Sequence, residues 1–324
     1  MSCLATLLAL VACLPRDRPL PPKTETGADC VDSDGYNDPY NSGPIFWEDK
    51  YELALPSEGI DLDGDGTIDT ALNQAWGGRT RELINAGING AIQSDRTTTP
   101  FEVAGLCPHR YHGADPAVTL KLYIGMDADD DRTNNWCAGP GCGEVLIDNN
   151  FMVGDQPKWR ATPAQLVDST LGFELETTEP MLFDQDMTVP LQMYLVHGRM
   201  TVPETLTELR DGLLCGVVPA RDLAETPIFI CVNNPEICIL AGIPPDRTLA
   251  EDLRLSGYLP DIDLDGDGLE TFNVGNDGKI DICFDGDGSI LGSKDCMQDP
   301  EMQDGYSGCF TFHATRATIV GIMY

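Results

Sequence analysis

The sequence predicts a mainly β chain, an antiparallel β-sandwich or jelly roll, with helical segments and Asp-rich calcium loops. Three observations carry that expectation. First, apolar residues alternate with polar ones in two runs. Val118, Leu120, Leu122 and Ile124 interleave with Thr119, Lys121 and Tyr123, and Val189, Leu191, Met193 and Leu195 with Gln192 and Tyr194. Period-two alternation marks strands with one buried face. Second, Gly, Pro and Asp clusters separate the runs, as turns between antiparallel strands require. Third, aspartates recur at alternate positions before glycine, at residues 61–69 and again at 263–288.

Taken in chain order, residues 1–12 form an apolar run, Leu4 to Ala12, too short to cross a bilayer and suited to an export signal. It ends in Leu10-Val11-Ala12-Cys13, which resembles the bacterial lipobox. That resemblance implies cleavage before Cys13 and lipidation of its thiol. The expected location is the bacterial outer membrane or cell surface, anchored to the membrane through an N-terminal lipid. Residues 13–44 follow as a tether, semi-rigid because Pro15, Pro19, Pro21 and Pro22 favour extended backbone.

Residues 45–99 hold the first acidic loop and a helical pattern. Asp61, Asp63, Asp65, Gly66, Thr67 and Asp69 occupy the spacing at which a turned loop aims oxygens at one ion. Ca²⁺ takes about 6–8 oxygens at 2.3–2.6 Å, so carboxylates at alternate positions suit it. The run resembles an EF-hand loop at positions one, three, five, six, seven and nine. Position twelve, where a bidentate Glu completes that loop, is Leu72. Loss of that ligand places the expected affinity at roughly 10⁻⁴–10⁻³ M. Leu72, Trp76, Leu83, Ile84, Ile88 and Ile92 then fall near helical spacing, interrupted at Gly77-Gly78.

Residues 100–218 are the expected sandwich. Asp127, Asp129 and Asp131, in the loop after Ile124, form a weaker candidate ion site, because Arg132 stands where a glycine would turn the chain. Asp32, Asp34 and Asp38 are weaker still. Residues 219–260 are expected to be helical over Ala220–Glu225 and Asp246–Ser256, with Leu249, Leu253 and Leu255 facing inward. Residues 261–324 contain a ten-residue repeat in which Asp267, Asp277 and Asp287 are each followed by glycine. With Asp263, Asp265 and Asp285 these residues are the expected ligands of further ions. The block resembles thrombospondin type 3 repeats and, more loosely, dockerin loops. The chain closes with a strand-like run from Gly308, in which Phe310 and Phe312 alternate with Thr311 and His313; this run is expected to rejoin the sheet.

Composition narrows the function classes. The formal charge of −33 over 324 residues repels nucleic acid, so none is expected as partner. The hydrophobic share of 42% is too high for a disordered acidic chain. Twelve cysteines, less Cys3 and Cys13, leave ten for disulfides in an oxidising compartment. Sequence proximity pairs Cys137 with Cys142, Cys231 with Cys238 and Cys283 with Cys296. Cys30, Cys107, Cys215 and Cys309 stay unassigned. The layout as a whole is similar to secreted lipoproteins of the myxobacterial type, a likeness that implies no activity.

Catalytic signals are sparse. Cys107, His109 and His112 have metal-like spacing, but an exported cysteine favours a disulfide over a zinc thiolate. Glu174, Glu176 and Glu179 resemble the carboxylate signature of laminarinase-like jelly-roll glycosidases, with Glu176 replacing its central Asp. Retaining glycosidases need two carboxylates about 5–5.5 Å apart. The same spacing also suits a solvated strand edge. The expectation is therefore a non-enzymatic, calcium-binding surface protein. Its partner would be carbohydrate, with Trp136 stacking on a sugar ring, or another surface protein. A purely structural role for calcium and a glycoside hydrolase using Glu174 and Glu179 are the alternatives.

Overall fold

The computed structural model describes residues 43–64, 66–93, 99–106, 114–129, 135, 143–154, 156–175, 181–182, 192–226, 228, 236, 244, 247–264, 269–272, 282–285, 290–291 and 304–323. Its centre is one antiparallel sheet that closes on itself. The eight strands of the ring are β1 (Ile45–Leu53), β2 (Phe101–Ala104), β3 (Ala114–Leu122), β8 (Trp159–Val167), β9 (Thr170–Glu174), β11 (Gln192–Thr201), β12 (Glu208–Pro219) and β16 (Gly305–Met323). They hydrogen-bond in that order, and β16 pairs back onto β1. The intervening short strands are β4 (Gly125–Asp127), β5 (Glu144–Asp148), β6 (Met152–Val153), β7 (Gln156–Pro157), β10 (Met181–Leu182), β13 (Leu269–Phe272), β14 (Ile282–Asp285) and β15 (Ile290–Leu291).

The expected sandwich or jelly roll is thus corrected to a barrel-like ring: the strands do not divide into two facing sheets. Period-two alternation reports one buried face per strand, and a closed ring supplies that face as well as a sandwich does. Eight strands enclose an interior just wide enough for side chains to fill. Phe46, Leu53, Phe101, Leu120, Leu122, Trp159, Leu166, Phe173, Leu214 and Phe312 fill it here, all nearly or fully buried. Phe312 stacks on Phe101 at 4.9 Å between centroids, and Tyr51 on Phe310 at 5.2 Å. Gly212 leaves room for this packing, since a Cβ there would sit 2.5 Å from the Phe312 ring.

Two helices complete the wall. Trp76 ends α1 (Ala71–Ala75), and α2 (Gly78–Gln93) starts at Gly78, whose φ of 58° suits glycine. β1 pairs with β2 only through Ile45 and Phe46. Farther along β1, side chains of α2 serve the edge beyond the β2 pairing. The Tyr51 amide donates to Asn89 Oδ1 at 3.1 Å, and Asn89 Nδ2 donates back to the Tyr51 carbonyl at 2.9 Å. The Leu53 amide donates to Asn85 Oδ1 at 2.7 Å, and Arg81 Nε donates to the Leu53 carbonyl at 2.7 Å. A helix thereby takes the place of a strand along half of β1. Its Ile84, Ile88 and Ile92 join the core.

Local bulges shift the expected faces. Register slips between Tyr194 and His197, where Leu195 has φ 47°, so Leu195 is exposed and Val196 takes the buried place. The helix α3 (Ala220–Glu225) has the expected bounds, while α4 (Leu249–Leu255) is shorter than expected. Leu253 is buried and Leu249 packs on the core, but Leu255 is 67% exposed, because α4 ends there. Val189 and Leu191 lie outside the described residues.

Candidate metal centre

The loop between β1 and α1 is closed at its base by an antiparallel bridge between Ile60 and Asp69, with the Asp69 amide donating to the Ile60 carbonyl at 3.2 Å. Inside the loop, Asp61 turns the chain around itself. Its Oδ1 accepts from the Gly64 amide at 2.7 Å and its Oδ2 from the Gly66 amide at 2.9 Å. Gly64 and Gly66 have φ of 83° and 89°. A Cβ at either would meet nothing within 4 Å, so backbone conformation rather than space calls for glycine there. Asp69, nearly buried, accepts from the Leu62 amide at 2.6 Å.

These bonds bring three carboxylates together. Oxygens of Asp61, Asp63 and Asp69 lie within 4.8 Å of one another. Two ligands on opposite sides of a Ca²⁺ ion would be about 4.6–5.2 Å apart at the usual bond lengths. The spacing therefore fits a common ion, with no element-specific geometry beyond that. Thr67 is exposed in the same loop, and Asp65 lies outside the described residues. Leu72, at position twelve, is buried and works in the barrel: a Cβ on Gly308 of β16 would stand 3.2 Å from its Cδ1.

The loop is seated on the outer wall of the barrel. Ile60 and Leu62 pack with Ala54, Leu213, Cys215, Val217, Cys309, Ile262 and Leu264 in one apolar cluster. The second Asp-rich segment thus begins beside the first, about two hundred residues later in sequence. Asp261 fixes that junction. Its Oδ1 accepts from the Ser307 amide at 2.7 Å, and its Oδ2 accepts from the Ser307 hydroxyl and from the Ala71 amide at 3.1 Å. Burial raises the Asp261 carboxyl above its usual range, against the pull of these donors. Asn73, fully buried, locks the same corner by donating to the Ala54 and Cys309 carbonyls at 3.1 and 2.7 Å and accepting from the Cys309 amide at 2.8 Å.

Other expected ligands are placed separately. Asp263 is half-buried just after the Ile262–Gly305 bridge. Asp285 ends β14, opposite Leu269. Asp265, Asp267, Asp277 and Asp287 lie outside the described residues, as do Cys13, Asp32, Asp34, Asp38, Cys107, His109, His112, Asp131 and Trp136. Asp127 ends β4 rather than starting a free loop; it is buried, and its Oδ1 accepts from the Asp129 amide at 3.3 Å.

Glu174 ends β9 with its side chain 72% exposed, 3.6 Å from His197 Nε2. Glu176 and Glu179 lie outside the described residues. Cys215 and Cys309, both left unassigned by sequence proximity, form a disulfide as direct cross-strand partners of β12 and β16. Residues 94 apart give no sequence signal of pairing. Cys137, Cys142, Cys231, Cys238 and Cys296 lie outside the described residues, and of Cys283 only the backbone, in β14, is described. No helix among the described residues is long and apolar enough to cross a membrane. No protein-family model, curated protein or solved structure gives a significant match to this chain.

Proposed function

We propose that this chain is a calcium-binding, lipid-anchored cell-surface protein whose barrel is a non-enzymatic binding or adhesion module. The observation that carries the calcium part is the convergence of Asp61, Asp63 and Asp69 in a loop turned by two left-handed glycines. Three carboxylates on one divalent ion leave an excess of negative charge, which suits a hard cation with oxygen ligands. Thr67, through its carbonyl, and Asp65 are the further ligands that the loop spacing offers. Asp263, Asp265, Asp267, Asp277, Asp285 and Asp287, with Asp127, Asp129 and Asp131 as the weaker set, would hold additional ions. Anchoring rests on Cys13 and its lipobox-like context. Carbohydrate or another surface protein is the partner class that an exported, acidic, ion-ordered module suits.

The deciding experiment is a thermal melt of the mature, oxidised protein in EDTA and in a calcium series, with magnesium as control. At calcium ten times above Kd, each independent site adds about 1.4 kcal/mol of stability. A calcium-specific rise in Tm that falls in Asp63→Asn supports the reading. Equal melting in calcium and EDTA would remove it and leave the acidic loop as a hydrogen-bonded turn. Metabolic labelling with palmitate, lost in Cys13→Ser, tests the anchor separately.

A further inference from the structure

On the outer wall, beside the ion loop, runs a cleft of about 620 Å³ lined by Lys50, Glu52, Glu58, Arg199, Arg210, Asp211 and His313, among others. Residues of both signs line it, so the lining selects no ligand of one sign. What the geometry defines is the setting of His313. Its Nδ1 is 2.7 Å from Asp49 Oδ1, and its Nε2 is 3.2 Å from Glu208 Oε2. Three strands meet there: Asp49 belongs to β1, His313 to β16 and Glu208 to β12.

Two β-bulges create the arrangement. β1 slips register between Glu48 and Lys50, and β12 between Leu209 and Gly212. Both slips lie against His313, which pairs with Lys50 across β1 and falls between Ala314 and Phe312 across β12. Bulges commonly re-aim side chains. The β1 bulge turns Asp49 toward the imidazole, and the β12 bulge, with Asp211 at φ 49°, leaves Glu208 beside it.

Carboxylates are acceptors. A neutral imidazole has one donor and one acceptor nitrogen, whereas an imidazolium has two donors. With a carboxylate oxygen at each nitrogen, only the imidazolium satisfies both contacts. A neutral ring would aim a lone pair at a carboxylate. We propose that His313 is a protonation-dependent clasp, which in its imidazolium form ties β1 to β12 across β16 and releases one of them as the ring loses its proton.

The surrounding charges are accounted for. Glu208 also accepts from Arg210 Nε at 2.5 Å, and this guanidinium keeps Glu208 ionised and able to accept. On β1, Lys50 pairs with Glu52 at 2.9 Å. Glu58 accepts from the Leu55 amide, and Asp211 from the Thr201 hydroxyl at 3.5 Å. Arg199 on β11 completes the lining. Glu48, on the inner side of the same bulge, also titrates, so the test is made in a Glu48→Gln background.

The test compares urea unfolding of that background with and without His313→Gln, at about pH 5.5 and about pH 8.5, on either side of the histidine range. The expected result is a loss of folding constant about five- to tenfold larger at the acid pH, as for hydrogen bonds to charged groups. The excess should disappear when Glu208→Gln or Asp49→Asn is already present. An equal loss at both pH values would overturn the clasp. Independently, ¹⁵N spectra of the wild-type ring should show both nitrogens of His313 protonated at about pH 5.5, with a proton on each in slow exchange. A neutral ring at that pH would also overturn it.

Discussion

The Sγ of Cys309 lies 3.7 Å from the carbonyl oxygen of Asp69. The disulfide that joins β12 to β16 therefore sits directly under the residue that closes the acidic loop. Wall, staple and loop share one apolar cluster, so the loop inherits its order from the barrel.

Removing the staple should be felt in both places. A disulfide that closes a loop of about 100 residues is worth roughly 2–5 kcal/mol, largely through the unfolded chain. The double variant Cys215→Ala, Cys309→Ala should lose that much in urea titration. The loop above it should also open more often, read as faster amide exchange at Leu62 and Asp69.

Glu48 faces the interior of the barrel from the inner side of the β1 bulge, and its Oε2 accepts from the Thr99 amide at 2.8 Å. Burial pushes its carboxyl from 4.5 up to about 8. The folded state thus holds a proton that the unfolded chain releases. Stability from this group is full below pH 4.5 and falls as pH rises toward about 8. The slope is about 1.4 kcal/mol per pH unit at most. Glu48→Gln should flatten this stretch of the stability profile. It should stabilise the protein above neutral pH and change little below pH 4.5. Parallel profiles for the two proteins would show the carboxyl to be solvated.

Asn89 serves both the amide and the carbonyl of Tyr51, beyond the stretch where β2 pairs with β1. Asn89→Ala leaves two partly buried backbone groups without their bonds. A loss of about 1–3 kcal/mol is expected for each group left unsatisfied. Thermal or urea unfolding would give the size, and amide exchange at Tyr51 would give the place.

The strands and the turn of the acidic loop were legible in the sequence for different reasons. Val118, Leu120 and Leu122 alternate strictly and are all buried. Asp61 to Asp69 is local, and its glycines have the left-handed φ that such a turn demands. Closure was not legible, because alternation is the same in a barrel and a sandwich. β1 was also missed: Ile45, Phe46, Trp47 and Glu48 are all buried, so the run shows no alternation. Trp47 turns outward to a second cluster with Ile45, Val145 and Ile319, while Phe46 turns in. The setting of His313 was not legible, since its partners come from positions 49 and 208 and are aimed by bulges that no local pattern announces. Leu72 was visible as a missing ligand, but its use in the barrel depends on Gly308, far along the chain.

The strands that close the ring, β1 and β16, come from opposite ends of the described chain, with Asp49 and His313 264 residues apart. Contacts so remote in sequence form late and slowly, because loop-closure entropy must be overcome first. Until β16 docks, β1 lacks the partner that covers one of its edges, from Ile45 to Leu53. Closure of the ring is therefore the slow step of folding, and its rate sets how long that edge stays exposed.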